Sequence, residues 1–344
     1  MAHDYTAVLW SRQKKRYDMF IAISVVLYMV SFIVINSAVN PEISEETLII
    51  RSTGTLAIIL LHVILLIGPL SRLNENFLPL LYNRRHLGVT MFLIATVHAV
   101  FSTLQFHAFG NINPVLSIFI SNMEYGSLTN FPFQTLGALA WIILFLMAAT
   151  SHDFWLKNLS ARAWKSLHIM VYIAYSLLVL HVMLGVAQDR STIWPVALLG
   201  AGMILIIGVH LTAGFKESKI DNQNLPEKEG FVHAGNVDDI ENNRAKVIDI
   251  NEERVAIFKY DGKLSAVSNV CQHQNGPLGE GRVIGGLITC PWHGYQYKPH
   301  DGCSPPPFDE KVPTFGLKLE GKEIYVKKIA NEAGTEVAPV TINF

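Results

Sequence analysis

The chain has 344 residues, of which 50% are hydrophobic and 16% charged, and its formal net charge is −1 at pH 7. Soluble domains normally contain about 25% charged residues, so this composition excludes a wholly soluble protein. A near-neutral charge without a basic aromatic patch gives no indication of nucleic-acid binding. Residues 1–214 are apolar runs separated by short polar loops, whereas residues 215–344 have an ordinary soluble composition. The sequence therefore predicts a membrane-embedded part followed by a water-soluble part.

Six apolar runs are long enough to cross a bilayer, whose core of about 30 Å needs about 20 apolar residues in a helix. Lipid excludes irregular backbone, so helices are the expected spanning form. The first run follows basic residues, as in a signal peptide, but its apolar stretch is too long and lacks a clear small-residue cleavage pattern, so we expect a retained helix. The runs are 19–39, 48–70, 87–106, 133–150, 166–186 and 194–214.

The distribution of Lys and Arg predicts the orientation of these helices. Basic residues concentrate in the N-terminal tail and in the second and fourth loops, whereas the first loop is acidic and the third has no basic residue. The positive-inside rule then places both termini in the cytoplasm. We therefore expect a multi-pass protein of the cell (inner) membrane with a cytoplasmic soluble domain. The three cysteines of that domain fit a reducing compartment.

Histidines lie inside two of the predicted spans, where ionisable residues are rare and usually functional. His98 is 12 residues beyond His86 in the third run, and His181 is 13 residues beyond His168 in the fifth. Both runs cross in the same direction, so these spacings correspond to vertical separations of about 18 and 20 Å. His98 and His181 should lie at one depth, and His86 and His168 at another. Two such levels could hold two stacked haems.

Two considerations weigh against this interpretation. On a straight helix His168 and His181 would lie about 140° apart around the axis, so two haems require a bent helix or ligands that approach from different sides. An intramembrane imidazole can also simply form a hydrogen bond with a neighbouring helix, an alternative that applies equally to His62 and His210.

The surroundings of these histidines resemble the ferric reductase-like transmembrane family. Residues 84–88 read RRHLG and precede His98, and residues 162–172 read RAWKSLHIMVY and precede His181. That family includes the haem-binding membrane subunit of the methionine sulfoxide reductase system and, more distantly, the NADPH oxidases. Shorter matching pieces are Thr53-Gly54, Gly68-Pro69-Leu70, Phe131-Pro132-Phe133 and Ala149-Thr150-Ser151.

This resemblance covers about residues 48–214 and implies that His98, His168 and His181 bind haem b. His86 falls where the methionine sulfoxide reductase subunit typically has an apolar residue. We therefore expect one outer haem, and a second, inner haem involving His86 is left open.

The soluble part predicts a small antiparallel β-domain. Short alternating segments are separated by Gly and Pro turns. The expected organisation is a cytoplasmic tail (1–18), an all-α bundle of six helices (19–214), a linker (215–228), an all-β domain (229–330) and a tail (331–344). The predicted strand segments are 245–250, 254–259, 264–269, 287–290 and 317–326.

The β-domain contains Cys271 and His273 and then, after 16 residues, Cys290 and His293. Two loops that each supply a thiolate and an imidazole suit a Rieske [2Fe–2S] cluster, in which two cysteines hold one iron and two histidines hold the other. The alternative is a zinc site, but zinc fingers group their two cysteines together and their two histidines together. Cys303 lies beyond both loops, and we expect a structural or free thiol there.

The residues around these four predicted ligands resemble the Rieske family over about residues 229–328. The matching residues are Gly276, Pro277, Leu278, Gly281, Gly294 and Tyr297. The two additional cysteines of the respiratory-complex type are matched by Gly276 and Trp292, so the resemblance implies no disulfide between the loops. Tyr295 replaces a serine hydrogen-bond donor and Tyr297 matches a tyrosine donor. Because such hydrogen bonds raise the potential, we expect a potential below that of the respiratory type.

Together these features predict the electron-transfer component of an oxidoreductase. In the first interpretation, electrons pass from a cytosolic donor to the cluster, then to haem b, then to an acceptor at the outer face. No glycine-rich dinucleotide fingerprint opens a βαβ unit, so direct hydride uptake from NAD(P)H is not expected.

Two other functions stay open. One is quinol-linked supply of electrons through haem to the cluster and a cytosolic redox partner. The other is a non-catalytic redox or iron sensor. A Rieske oxygenase is disfavoured, because few residues follow the cluster domain to form a two-His-one-carboxylate iron site.

Overall fold

The computed structural model describes residues 12–81, 83–151, 155, 159, 161–188, 194–222, 225–273, 275–292 and 294–343. Its N-terminal region is helical and its C-terminal region is built of β-strands, which confirms the predicted change of architecture. The helices are α1 Arg12–Val39, α2 Glu45–Leu73, α3 Leu78–Leu81, α4 Arg84–His107, α5 Pro114–Ile120, α6 Phe133–Ala149, α7 Ala161–Ile169, α8 Val171–Gln188 and α9 Trp194–Asp221.

The described helices include five candidate membrane spans. Large apolar side chains on these helices, such as those of Phe20, Leu93 and Ile204, are exposed, as expected of a surface that lipid covers. The predicted run 133–150 forms the shorter apolar helix α6, of 17 residues. The number of six crossings stays a prediction. The five spans are Lys15–Val39, Glu45–Leu73, Arg84–His107, Ala163–Val186 and Pro195–Asp221.

A local break separates His168 from His181. Helix α7 ends at Ile169 and α8 begins at Val171. Between them, the Met170 N–H donates to the carbonyl of Leu167 at 3.1 Å, three residues back rather than four. The angular relation between the two histidines is therefore not that of one uninterrupted helix.

The described residues of the β-domain form three antiparallel sheets. Their strand orders are β1-β2-β11-β10, β12-β5-β4-β3 with β9 also paired to β5, and β6-β7-β8. The strands are β1 Glu227–Lys228, β2 Phe231–Asn236, β3 Arg244–Ile250, β4 Glu253–Tyr260, β5 Lys263–Ser268, β6 Arg282–Ile284, β7 Leu287–Thr289, β8 Gln296–Tyr297, β9 Thr314–Phe315, β10 Leu317–Glu320, β11 Glu323–Lys327 and β12 Val340–Thr341.

Strand β4 lies between two hydrophobic cores. Val255 and Ile257 belong to one core, whereas Ala256 and Phe258 belong to the other. Because successive side chains of a strand point to opposite faces, a strand buried on both sides has a continuous apolar run. The second core also contains Cys271 and Cys290, so it supports the two predicted cluster loops.

The predicted segment 317–326 is not one strand. It forms the hairpin of β10 and β11, which turns at Gly321 with a φ of 60°. Glycine adopts this left-handed conformation without steric cost, and an isolated glycine in an alternating run is easily mistaken for part of a strand.

Helix α9 extends to Asp221, beyond the predicted end of the sixth run at residue 214. The extension is polar, so hydropathy does not reveal it. Glu217 and Asp221 lie one turn apart, and both bind the guanidinium of Arg254 on β4. Arg254 forms a two-pronged contact with Asp221, through Nε and Nη2 at 2.8 Å each. These ion pairs explain why residues 215–221, predicted to begin a linker, are helical.

The end of α2 belongs to the same compact unit as the β-domain. Among the described residues this unit comprises 68–81 and 210–343, and a second unit comprises 12–67 and 83–209. Arg72 forms an ion pair with Glu280 at 3.2 Å, and the Lys216 ammonium donates to the Arg72 carbonyl at 2.7 Å. Burial raises the pKa of Glu280, and the adjacent Arg72 opposes this shift.

Replacement of Arg254 should therefore destabilise this unit. We expect R254A to lower its free energy of unfolding by about 1–2 kcal/mol, because two carboxylates lose a partly screened cationic partner. The measurement is thermal or denaturant unfolding of the purified protein, followed by β-sheet circular dichroism. K322A is the control, because Lys322 and its partner Asp238 are both more than half exposed. Equal losses in the two variants would contradict a specific role for Arg254.

Candidate functional site

The two predicted cluster loops have the same backbone fold. The Cys271 N–H donates to the Gly276 carbonyl at 2.9 Å, and the Cys290 N–H donates to the Tyr295 carbonyl at 2.7 Å. Each cysteine carbonyl also accepts an N–H from four residues on, from Asn275 at 2.7 Å and from Gly294 at 3.0 Å. These two donors adopt φ values of 57° and 73°. The loops that follow β5 and β7 therefore share the same two hydrogen bonds, and each has a residue in the left-handed region.

The two loops lie against each other. A Cβ added at Gly276 would lie 2.8 Å from Cys290 Sγ and 3.2 Å from the Trp292 ring. Real Cβ atoms do not approach sulfur this closely, so only glycine allows the first loop to pack on the second. Cys271 and Cys290 are each 1% exposed, and both are thiols. This arrangement suits a cluster that is held between two loops and shielded from water.

His273 is placed by an aromatic contact, since its ring stacks on Tyr295 with centroids 4.7 Å apart and planes 6° apart. The fourth predicted ligand, His293, lies outside the described residues. No three His, Cys, Asp or Glu side chains among the described residues are close enough to hold a single metal ion. A Rieske cluster needs no such group, because each iron has two protein ligands. Ligation by these four residues stays a prediction.

Tyr297 contacts the sulfur of Cys271. Its hydroxyl lies 3.3 Å from Cys271 Sγ and accepts the Gln272 N–H at 3.0 Å. Burial, together with the neighbouring Cys271, raises the pKa of the Tyr297 hydroxyl, so its proton is retained and available to the sulfur. Tyr295 differs, because its hydroxyl donates to the carboxylate of Glu310. Sequence reasoning missed Glu310, since no motif marks a residue 15 positions away as the partner of Tyr295.

Cys303 lies apart from this arrangement. Its N–H donates to the Asp301 carboxylate at 2.8 Å, and it pairs with Lys311 in an isolated β-bridge. Burial, reinforced by Asp301, raises the pKa of its thiol and favours the protonated form. The thiolate is the form that binds metal, and a structural or free thiol at Cys303 stays a prediction.

The contact between Tyr297 and Cys271 predicts the effect of Y297F on the cluster potential. A hydrogen bond to a cluster sulfur stabilises the more negative reduced state, so its loss should lower the potential by about 60 mV if the bond contributes about 1.4 kcal/mol. The measurement is a redox titration followed by EPR. Y260F is the control, because Tyr260 is also buried but binds Ser265. An unchanged or raised potential in Y297F would contradict the assignment.

In the helical region, His98 on α4 and His181 on α8 lie side by side. Their ring centroids are 6.3 Å apart and their planes are inclined by 86°. Two imidazole–metal bonds of about 2 Å each, extended to the ring centres, span roughly 6 Å. The spacing would therefore allow these two imidazoles to hold one iron-containing cofactor between them. This is the pair predicted to share the outer depth.

Each of these two rings is oriented by a backbone carbonyl of another helix. His98 Nδ1 lies 2.9 Å from the carbonyl oxygen of Ile50, and His181 Nδ1 lies 2.8 Å from that of Phe133. A carbonyl oxygen can only accept, so Nδ1 must carry the hydrogen and the neutral ring has its lone pair on Nε2. No hydrogen bond to Nε2 of either ring is found among the described residues. Both side chains are thus prepared for metal ligation through Nε2.

The other two predicted haem ligands have different partners. His168 stacks on Trp164 at 3.8 Å, and its Nε2 lies 3.5 Å from the Ser151 hydroxyl. His86 Nδ1 lies 2.7 Å from the Asp18 carboxylate. Within the described part of the chain, no ring contact joins His86 to His168. The structure therefore brings together the outer pair but not the inner pair.

His62 is engaged through both ring nitrogens. Its Nδ1 lies 2.6 Å from the carbonyl of Ile58 on its own helix, and its Nε2 lies 3.0 Å from the Tyr175 hydroxyl. This contact between α2 and α8 is the interhelical hydrogen bond considered above as the alternative to ligation.

The helical membrane region and the paired cysteine loops of the β-domain define a membrane electron-transfer protein with a Rieske domain. The family described as "Rieske [2Fe-2S] domain" matches residues 230–316, which implies a [2Fe–2S] cluster. The family described as "Ferric reductase like transmembrane component" matches residues 53–179.

Curated relatives match the helical part. The protein-methionine-sulfoxide reductase heme-binding subunit MsrQ of Yersinia pseudotuberculosis serotype O:1b (strain IP 31758) is 31% identical over 159 residues, which cover 45% of this chain and 70% of that relative. The same subunit of Yersinia pestis (strain Pestoides F) is also 31% identical over 159 residues, with coverage of 45% and 69%. The chain therefore belongs to the MsrQ family and carries a Rieske domain in addition.

Solved structures resemble the β-domain. The ferredoxin of carbazole 1,9a-dioxygenase from Nocardioides aromaticivorans IC177 is 22% identical, with 28% of this chain and 97% of that chain covered and a TM-score of 0.27. A ferredoxin of Sphingomonas yanoikuyae B1 is 20% identical, with the same coverages and TM-score.

Proposed function

We propose that this protein carries electrons from a cytosolic donor through its [2Fe–2S] cluster to haem b, and from there to an acceptor at the outer face of the membrane. The observation that carries the proposal is the 6.3 Å spacing of His98 and His181 in a chain that also contains a Rieske domain. The relatives named as heme-binding subunits support the same cofactor here.

The proposed topology has six crossings within residues 19–214, with both termini and the cluster domain in the cytoplasm. The distribution of Lys and Arg supports this orientation. Helix α6 supplies the sixth crossing, since 17 residues span about 26 Å, close to the thickness of the bilayer core. The proposed domains are the N-terminal tail (1–18), the bundle (19–214), the linker (215–228), which begins as the polar end of α9, the Rieske domain (229–330) and the tail (331–344).

The proposed cofactors are one cluster and one haem. Cys271, His273, Cys290 and His293 would hold the cluster, which supplies one-electron chemistry when bound. His98 and His181 would hold the haem. His168 and His86 are not included, because no ring contact joins them in the described part of the chain and the Nε2 of His168 lies beside the Ser151 hydroxyl. The chain's own contribution is to bury the thiols, fix the imidazole tautomers and keep the Tyr297 proton beside Cys271.

The direction of transfer can be tested by loss of one cluster ligand. We expect C290S to slow haem reduction by a reduced soluble ferredoxin at least tenfold, because that donor is too large to enter the bundle and must deliver electrons to the cluster. C303S is the matched control and should behave as the unmodified protein. The measurement is stopped-flow absorbance of the haem in purified full-length protein, and NADH alone should reduce no haem. Equal rates in the two variants would contradict the proposed order of carriers.

One structural feature favours the quinol-linked alternative as a second candidate. A cavity of about 370 Å³ opens beside the start of α4, a volume typical of small-molecule sites. Apolar side chains suit a quinol ring, and the hydrogen-bonded Asp18 and His86, with Oδ1 and Nδ1 2.7 Å apart, are acid–base groups that would receive its protons. Electrons would then flow through haem to the cluster and a cytosolic partner. The cavity is lined by Asp18, Ile21, Ala22, Arg85, His86, Val89 and Thr90.

A short-chain quinol distinguishes the two candidates. If the cavity is a quinol site, the quinol should reduce the haem of the unmodified protein. H86L should slow this reduction at least tenfold, because the quinol then has no imidazole to accept its proton. H107Q is the control, since His107 lies at the other end of α4 and hydrogen-bonds Ser117. Absence of haem reduction in the unmodified protein would exclude the quinol-linked function.

A further inference from the structure

Two glycines lie directly against the predicted haem ligands. A Cβ added at Gly54 on α2 would be 2.9 Å from His98 Nδ1, and one added at Gly137 on α6 would be 2.8 Å from His181 Nδ1. Both distances are shorter than any that real side chains adopt. The two histidines can therefore occupy their observed positions only because residues 54 and 137 lack a side chain.

Each glycine is four residues beyond the carbonyl that orients the corresponding ring. His98 contacts the carbonyl of Ile50, and His181 contacts that of Phe133. In an α-helix the carbonyl of residue i points at the N–H of residue i+4. The side chain at i+4 restricts lateral access to that carbonyl, so glycine at i+4 leaves room for a second donor from a neighbouring helix.

The same arrangement occurs twice, on two different helices and around two different histidines. A third intramembrane histidine, His62, shows that proximity to a glycine does not by itself direct a ring to a carbonyl of another helix. A Cβ at Gly202 would lie 2.4 Å from His62 Nε2, yet His62 directs Nδ1 to a carbonyl of its own helix. Among the histidines on the described helices, only His98 and His181 combine a glycine contact with a carbonyl from another helix.

We propose that Gly54 and Gly137 are positioning residues for haem ligation, because they open the carbonyls of Ile50 and Phe133 to the Nδ1–H groups of His98 and His181. This inference rests on the proposed function, in which these two histidines are the ligands. In this arrangement α2 fixes the tautomer and ring plane of His98, and α6 fixes those of His181. Hydrogen bonds of this kind hold metal-bound imidazoles in place and raise their basicity.

The test uses G54A and G137A in the full-length protein. Alanine is a better helix former than glycine by about 1 kcal/mol, so neither change weakens its helix intrinsically. We expect haem affinity to fall about 10- to 100-fold in each variant, as for other partners of metal-bound histidines. The haem potential should rise, since a less basic ligand stabilises the oxidised iron less. The low-spin EPR signal should also shift, because the nearly perpendicular ring planes would change.

G88A and G208A are the matched controls, because a Cβ at either position meets no atom within 4 Å. Both lie within described helices, α4 and α9, and gain the same helix propensity. Haem content is measured relative to the Rieske EPR signal of the same chain, which reports the amount of folded protein. If G54A and G137A behave as G88A and G208A, the inference is overturned. Loss of both signals to the same extent also counts against it, since that outcome indicates general misfolding.

H98A and H181A separate this inference from the proposed function on which it rests. Retention of haem by both histidine variants would overturn the ligand assignment and therefore the proposed haem site. Loss of haem in the histidine variants, with normal affinity, potential and EPR signal in the glycine variants, would leave the proposed function intact and remove only the positioning role.

Discussion

The arrangement of the helical region depends on hydrogen bonds between imidazole rings and backbone carbonyls. A bilayer offers no water to a buried N–H group, so each intramembrane histidine needs a partner within the protein. His98 and His181 find theirs on helices other than their own, which ties α4 to α2 and α8 to α6. The same bonds determine which ring nitrogen keeps its lone pair. Helix packing and preparation for metal binding thus have one physical cause.

The β-domain also buries polar groups, in this case two thiols. Its two thiols are buried among the side chains of a hydrophobic core, where an isolated thiolate would be costly. Two loops with matching backbone hydrogen bonds present these thiols, and glycine at position 276 lets the loops touch. Tyr297, whose raised pKa keeps its proton, supplies a donor to one sulfur. Each predicted cofactor site therefore combines a glycine that permits close approach with a donor or acceptor beside a predicted ligand.

The sequence predicts the helical region, the β-domain and the cluster loops because each has a local signal. Apolar runs mark the helices, and the alternation of Cys with His distinguishes the loops from a zinc finger. The polar end of α9 and the hairpin at Gly321 are missed, since the first depends on ion pairs with Arg254 and the second on a single glycine. Equal depth of His98 and His181 follows from spacing alone. The position of Gly137 beside a histidine ring does not follow from the sequence, because a glycine in an apolar helix has no pattern that links it to a ring on another helix.

The contacts around Arg72 and Arg254 join the cluster domain to the ends of two helices. The turn Leu278–Glu280 directly follows the first cluster loop, and its last residue binds Arg72 at the end of α2. Arg254 and Lys216 add contacts between the β-domain, α9 and α2 within the same compact unit. Three cationic side chains thus join the cluster domain to the polar ends of α2 and α9, which explains why these helix ends belong to the same compact unit as the β-domain.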